Sequence, residues 1–168
     1  MNANYETFIK KLDEKLTLYF DAQKENICCQ IGCSECCEKG DYPLTGIELL
    51  YLMQGHMKLE PEVKKQVQEN IKNMKKGGVC PYLINNRCSI YTYRPIICRV
   101  HGLAYMLPNG KIKVPHCVKN GKNFSNIYEN GEIYIAPVKE NLDTMNILEG
   151  IECGEMRDLY DWITHKKS

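Results

Sequence analysis

The chain has 168 residues, 43% of them hydrophobic and 26% charged, with 22 basic against 21 acidic side chains and a formal net charge of +1. That length is enough for one domain with a real hydrophobic core, and the balanced charge removes the global electrostatic case for nucleic acid or an anionic membrane as partner. Charges interrupt the N-terminus where a signal peptide needs an unbroken apolar core, and no stretch approaches the roughly 20 apolar residues of a membrane span. A cytoplasmic location is therefore expected. The ten cysteines stay below the share of a small secreted disulfide scaffold, and in a reducing compartment clustered thiols read as metal ligands.

Residues 4–26 place Tyr5, Phe8, Ile9, Leu12, Leu16, Tyr19 and Phe20 on one stripe at helical spacing, with charged residues opposite, which predicts a surface helix docked on a core. It leads into a loop where Cys29, Cys33, Cys36 and Cys37 crowd together. Thr45 and Glu48 then form a capping-box pattern that opens a second helix, ending near Gly55. Pro61 suits the first turn of a third helix, whose buried face is Val63, Val67, Ile71 and Met74 and whose end is Gly77-Gly78.

A second cysteine set follows at Cys80, Cys88 and Cys98. Asn85-Asn86 marks a turn between the first two, and Arg94-Pro95 starts a short helix carrying the third. Tyr105–Leu107 and Lys111–Val114 flank Pro108-Asn109-Gly110 as a β-hairpin that returns Cys117 toward the cysteines. The polar stretch 118–136 is expected to be loop with one short strand at 133–135. Residues 138–149 and 154–165 are expected to be helices packed back over the core. The expected fold is thus mainly α with a small β-hairpin: one compact domain, 1–168, with irregular cysteine-rich loops between helices.

Two thiol-rich segments separated by a helical spacer read as a metal site, because thiolate sulfur is a soft donor and a shared metal pins the two segments together. Disulfides and ordinary buried thiols are the competing readings. Both are weakened because four thiols on one tight loop invite unwanted oxidation unless a metal occupies them.

At these cysteines and at the string CSIYTYRPIICR the chain resembles the YkgJ family of cysteine-cluster proteins, a zinc- or iron-chelating domain often labelled as containing an iron–sulfur cluster. The C-x-x-C-x-x-C-C type motif stands here, with one extra residue, as Cys29-x3-Cys33-x2-Cys36-Cys37. The second motif stands as Cys80, Leu83, Cys88, Ile90, Tyr91, Arg94, Pro95, Cys98 and Arg99. The resemblance covers residues 28–102 and extends toward Cys117. It implies metal binding. A similar domain occurs in flagellin lysine N-methylases, which are longer chains, so no methyltransferase activity carries over.

Eight candidate ligands result: Cys29, Cys33, Cys36, Cys37, Cys80, Cys88, Cys98 and Cys117. They make two four-cysteine sites, or one site with bystanders. Adjacent Cys36 and Cys37 are expected to point apart and to share one zinc poorly. Cys28 and Cys153 are read as structural thiols. A short C-x-x-C knuckle suits zinc. A 4Fe–4S cluster also takes four cysteines, including a distant one, and the surplus of thiols favours iron–sulfur over zinc. Arg94 and Arg99 are candidates for hydrogen-bonding cluster thiolates or binding an anion, against a role in ordinary ion pairs. His101 and His116 read first as ordinary histidines and second as ligands or proton carriers. Tyr82, Tyr91 and Tyr93 are expected to form a packing shell.

No glycine-rich phosphate loop, GxSxG elbow or HExxH helix is present. The bare CxxxCxxC spacing of radical-SAM enzymes occurs, but without room for their barrel. Three classes remain: a metal or iron–sulfur protein for redox or electron transfer, a small cluster-dependent enzyme acting on a protein side chain, and a zinc-stabilised interaction module. The partner, whether protein or small molecule, is not legible.

Overall fold

The computed structural model describes residues 3–30, 32–39, 42–133 and 136–164. In chain order its elements are α1 (Ala3–Gln23), α2 (Glu35–Glu38), β1 (Pro43–Thr45), α3 (Gly46–Met57), α4 (Pro61–Lys72), β2 (Leu83–Ile84), β3 (Arg87–Cys88), α5 (Ile96–Val100), β4 (Tyr105–Met106), β5 (Ile112–Lys113), β6 (Tyr128–Glu129), β7 (Glu132–Ile133), α6 (Thr144–Ile147), β8 (Met156–Asp158) and α7 (Leu159–Thr164). The fold is mainly α with small antiparallel strand pairs. The chain divides into two units, one formed by Met1–Cys29 with Arg99–Glu149 and the other by Gln30–Cys98 with Gly150–Ser168. No helix among the described residues is long and apolar enough to cross a membrane.

In the first unit, α1 covers most of the helix expected over 4–26, with a 3-10 turn at Lys24–Asn26 completing it. Tyr5, Ile9, Leu12 and Leu16 of the predicted stripe are buried. The Gln23 side chain acts as a strand partner for Ala104: its Nε2 donates to the Ala104 carbonyl at 2.8 Å and its Oε1 accepts the Ala104 N–H at 3.0 Å. The expected hairpin forms as β4 and β5, paired Tyr105 to Lys113. A second hairpin, β6 and β7, turns on Asn130 and Gly131, both at positive φ. Of the strand expected at 133–135, Ile133 belongs to β7, while Tyr134 and Ile135 lie outside the described residues. Ala104, Val118, Phe124 and Ile133 form this unit's core.

The helix expected over 138–149 is a correction: only Thr144–Ile147 is helical. Val138 is drawn into a bridge with Tyr105, donating to the Ala104 carbonyl at 2.9 Å and accepting the Met106 N–H at 2.8 Å. The Asn141 side chain then takes the Asp143 N–H, a local bond that competes with helix until Asp143.

In the second unit the capping box at Thr45 and Glu48 is present, and α3 runs two residues past the expected stop at Gly55. Helix α4 starts at Pro61 as expected and ends at Lys72, before the glycine pair. Strands β2 and β3 form a hairpin through Asn85 and Asn86, which take φ of 50° and 58°; two left-handed residues in a row are the mark of the tight turn that matches strand twist. The expected C-terminal helix over 154–165 is also corrected. Met156–Asp158 is strand β8, antiparallel to β1, and only Leu159–Thr164 is helical; His165 lies outside the described residues. Gly154, at φ +73°, breaks the helix, and the free edge of β1 supplies partners that a helix would have left unused. Tyr42, Leu44, Leu52, Val67, Tyr82, Ile90 and Leu159 form the core here.

Candidate metal centre

The first motif is built by a turn and a single helical turn. The Cys33 N–H donates to the Gln30 carbonyl at 2.9 Å and the Cys37 N–H to the Ser34 carbonyl at 2.7 Å, which winds Glu35–Glu38 into α2. Contrary to the expectation that the adjacent thiols point apart, this turn leaves Cys36 Sγ and Cys37 Sγ 3.8 Å from each other. Two sulfurs on one tetrahedral ion at about 2.3 Å each stand about 3.8 Å apart. The pair therefore fits two corners of such a site.

The second motif is tied to the first through one carbonyl. Cys37 O accepts the Cys80 N–H at 2.8 Å and the Tyr42 hydroxyl at 2.8 Å, and the same hydroxyl lies 3.1 Å from the Gly78 carbonyl. The β2–β3 hairpin sets Cys88 opposite Leu83. Cys98 rides on α5, whose leading Ile96 N–H donates to the buried Glu48 carboxylate at 2.8 Å. The other Glu48 oxygen takes the Thr45 N–H and hydroxyl. Tyr42 and Glu48 thus position motif cysteines. Glu48 had a sequence signal only as a helix cap, because its bond to Ile96 spans 48 residues, and Tyr42 had none, because no motif links a tyrosine hydroxyl to a carbonyl five residues earlier.

These five thiols sense one another. Cys36 is lowered to about 7, first by a hydrogen bond from the Cys37 thiol and also by the Arg94 charge. Cys37 is raised, because its proton is held toward Cys36, because it is buried, and because Cys36, Cys80 and Cys98 add negative charge. Burial pushes Cys80 up to about 12. Burial likewise raises Cys88, and it raises Cys98 well above the ordinary thiol range, with the charges of Cys80, Cys36 and Cys88 adding to it. Without a cation, thiols so placed oppose joint ionisation. A bound metal supplies the missing positive charge and displaces the protons.

Arg94 stacks over the Tyr91 ring at 3.8 Å and its charge favours the thiolates of Cys36, Cys88 and Cys98. Arg99, 2% exposed, places Nη1 between both carboxylate oxygens of Asp13, at 2.6 and 2.5 Å. Tyr82 is a core residue, Tyr93 packs on Tyr51, and Tyr91 is 61% exposed, so the expected tyrosine shell lacks Tyr91. Cys33 is exposed, at the foot of α2. Cys29 and Cys117 belong to the other unit, as do His101 and His116, whose rings stand 5.0 Å apart. Cys153 donates weakly to the Gly154 carbonyl.

The thiols are gathered but not closed into a cage: among the described residues no three Cys, His, Asp or Glu side chains stand in finished metal-ligating geometry. The donor chemistry nonetheless fits a soft or borderline metal, since all five coupled donors are sulfur. A groove of about 620 Å³ lined by Tyr19, Gln23, Pro137 and Glu140, among others, has no thiol in its lining.

Comparison with known proteins adds one finding. No curated protein and no solved structure matches the chain. Residues 27–127 match the family described as "CxxCxxCC: Putative zinc- or iron-chelating domain". That span takes in both cysteine motifs and more than half of the chain, and the chain belongs to this family of zinc- or iron-chelating domains.

Proposed function

We propose that this protein holds an iron–sulfur cluster through its two cysteine motifs and serves a redox or electron-transfer role in the cytoplasm, with a protein or small molecule as its redox partner. The observation that carries the reading is the all-sulfur donor set: Cys36, Cys37, Cys80, Cys88 and Cys98 share one electrostatic environment, and Cys29, Cys33 and Cys117 are further candidates. One structural zinc needs four ligands. Five coupled thiols and three more in reserve exceed that need, and an iron–sulfur cluster takes cysteines of this kind. When bound, the cluster supplies one-electron chemistry. The chain's own part is to hold the sulfurs, through the Cys37 carbonyl and the α5 cap, and to offset their charge with Arg94.

A second reading has its own support. The 3.8 Å separation of Cys36 and Cys37 equals that of two corners of a tetrahedral zinc site, which would make the chain a zinc-stabilised interaction module. Anaerobic purification with iron, zinc and acid-labile sulfide analysis separates the two. Iron and sulfide in similar amounts, with a broad visible absorption that reduction bleaches, support the cluster. A colourless protein that holds only zinc and no sulfide overturns it in favour of the module.

A further inference from the structure

His101 and His116 lie outside the unit that holds the five coupled thiols, and the structure sets their rings 5.0 Å apart, centre to centre, at 55°. We propose that the two imidazoles form a second metal site of a different kind, one that takes a divalent ion of the nitrogen-preferring class, such as zinc or nickel, and leaves its remaining positions to water. Both histidines belong to the unit formed by Met1–Cys29 with Arg99–Glu149, so the site is complete within it. It does not depend on what the thiols hold.

The local structure brings the pair together in three steps. His101 follows α5 directly, and Gly102, at φ +106°, turns the chain toward β4; a side chain there would strain that backbone. The β4–β5 hairpin, paired Tyr105 to Lys113, sends the chain back. Pro115, at φ −64°, then opens a 3-10 turn over His116–Asn120, which buries Cys117 and Val118 and leaves His116 exposed. One imidazole is thus partly buried and the other stands where an ion can arrive from solvent.

Two observations separate this pair from ordinary ring packing. The first is the spacing. With each nitrogen about 2.0–2.1 Å from the ion and each ring centre about 1.2 Å behind its nitrogen, two imidazoles on one tetrahedral ion have centres about 5.2 Å apart, and at a right angle about 4.5 Å. The observed 5.0 Å lies between the two. The second is His101 Nε2, which is buried and has no hydrogen-bond partner among the described residues. Buried polar atoms are nearly always satisfied, and a metal ion is a common partner of an imidazole nitrogen. The donor type fixes the class of ion: imidazole suits zinc, nickel and copper, whereas an all-thiolate set selects softer occupants.

The test adds zinc chloride to the full chain, purified anaerobically and kept reduced, and follows each histidine ring by long-range 1H–15N NMR. Because the readout belongs to each ring, zinc taken up by thiols does not imitate it. One nitrogen of His101 and one of His116 are expected to shift together, while His56, whose Nδ1 meets the Tyr82 hydroxyl at 3.4 Å, stays in place. His101→Gln should abolish the His116 response and His116→Gln the His101 response, with zinc affinity at these rings falling by at least about tenfold, the cost of losing even an indirect support of a metal ligand. Rings that do not respond to zinc, or a His116 shift that survives His101→Gln undiminished, overturn the site and leave the thiol centre standing. If His101→Gln does not fold, His116→Gln, at an exposed position, decides alone: a His101 response that persists in it overturns the pair.

Discussion

At the scale of single residues, Glu48 joins two jobs. Its carboxylate is 1% exposed and accepts from Thr45 at its own helix start and from Ile96 at the start of α5. Glu48→Ala leaves those buried N–H groups without their acceptor, so a loss of about 3 kcal/mol is expected, read as a lowered urea midpoint, together with weaker metal binding because Cys98 sits two residues beyond Ile96. His101 gives a pH dependence. Burial, then the neighbouring His116 charge, lowers it to about 4, and its Nε2 has no hydrogen-bond partner among the described residues. The folded protein keeps this ring neutral down to about pH 4, whereas in the unfolded chain it takes its proton near pH 6.5. Between those values the unfolded chain binds more protons, so stability falls as pH is lowered through that window. His101→Gln should flatten this part of the pH–stability curve, and an unchanged curve would show that the ring titrates normally.

At the scale of elements, the β2–β3 hairpin delivers Cys88, and its turn is the sensitive point. Asn85 and Asn86 both adopt left-handed backbone, which asparagine tolerates and β-branched residues do not. Asn86→Ile should cost about 1–2 kcal/mol, whereas Asn86→Gly should be close to neutral; equal stability of both variants by denaturant titration would mean that the turn relaxes to another form. The same reasoning explains α2. Four residues make a poor helix in isolation, yet this turn carries two thiols because its ends are tied, through Ser34 O on one side and Cys37 O to Cys80 on the other.

At the scale of the whole molecule, the unit formed by residues 30–98 and 150–168 contains a hydrophobic core that borders the thiols directly: Cys80 and Cys88 pack against the cluster of Tyr42, Leu52, Tyr82 and Ile90. A metal held by these thiols would therefore stabilise the same piece of structure as the core packing, its binding energy acting as folding energy. Stripping the metal with a chelator under reducing conditions is expected to lower Tm by on the order of 10 °C without abolishing helical circular dichroism, since Leu52 of α3 and Val67 of α4 stay buried in an apolar cluster that needs no metal. An unchanged melting curve would show that the metal has no structural part.

What was legible in the sequence is what local physics dictates. Helical stripes, the capping box, Pro61 at a helix start, the Asn85-Asn86 turn and the short helix after Pro95 each depend on residues within a few positions of one another, and each is found. The two cysteine motifs were legible for the same reason, since ligand spacing is a local pattern. The two C-terminal helices were not, because Val138 and Met156–Asp158 are claimed by backbone groups far away in sequence, at Tyr105 and at Pro43–Thr45. Tertiary structure alone decided that Cys36 and Cys37 face each other, that the Cys37 carbonyl binds Cys80 and Tyr42, and that Glu48 reaches Ile96. Each of these is a hydrogen bond or a sulfur contact set by packing, and no periodicity in the chain records where a buried amide, carboxylate or hydroxyl will find its partner.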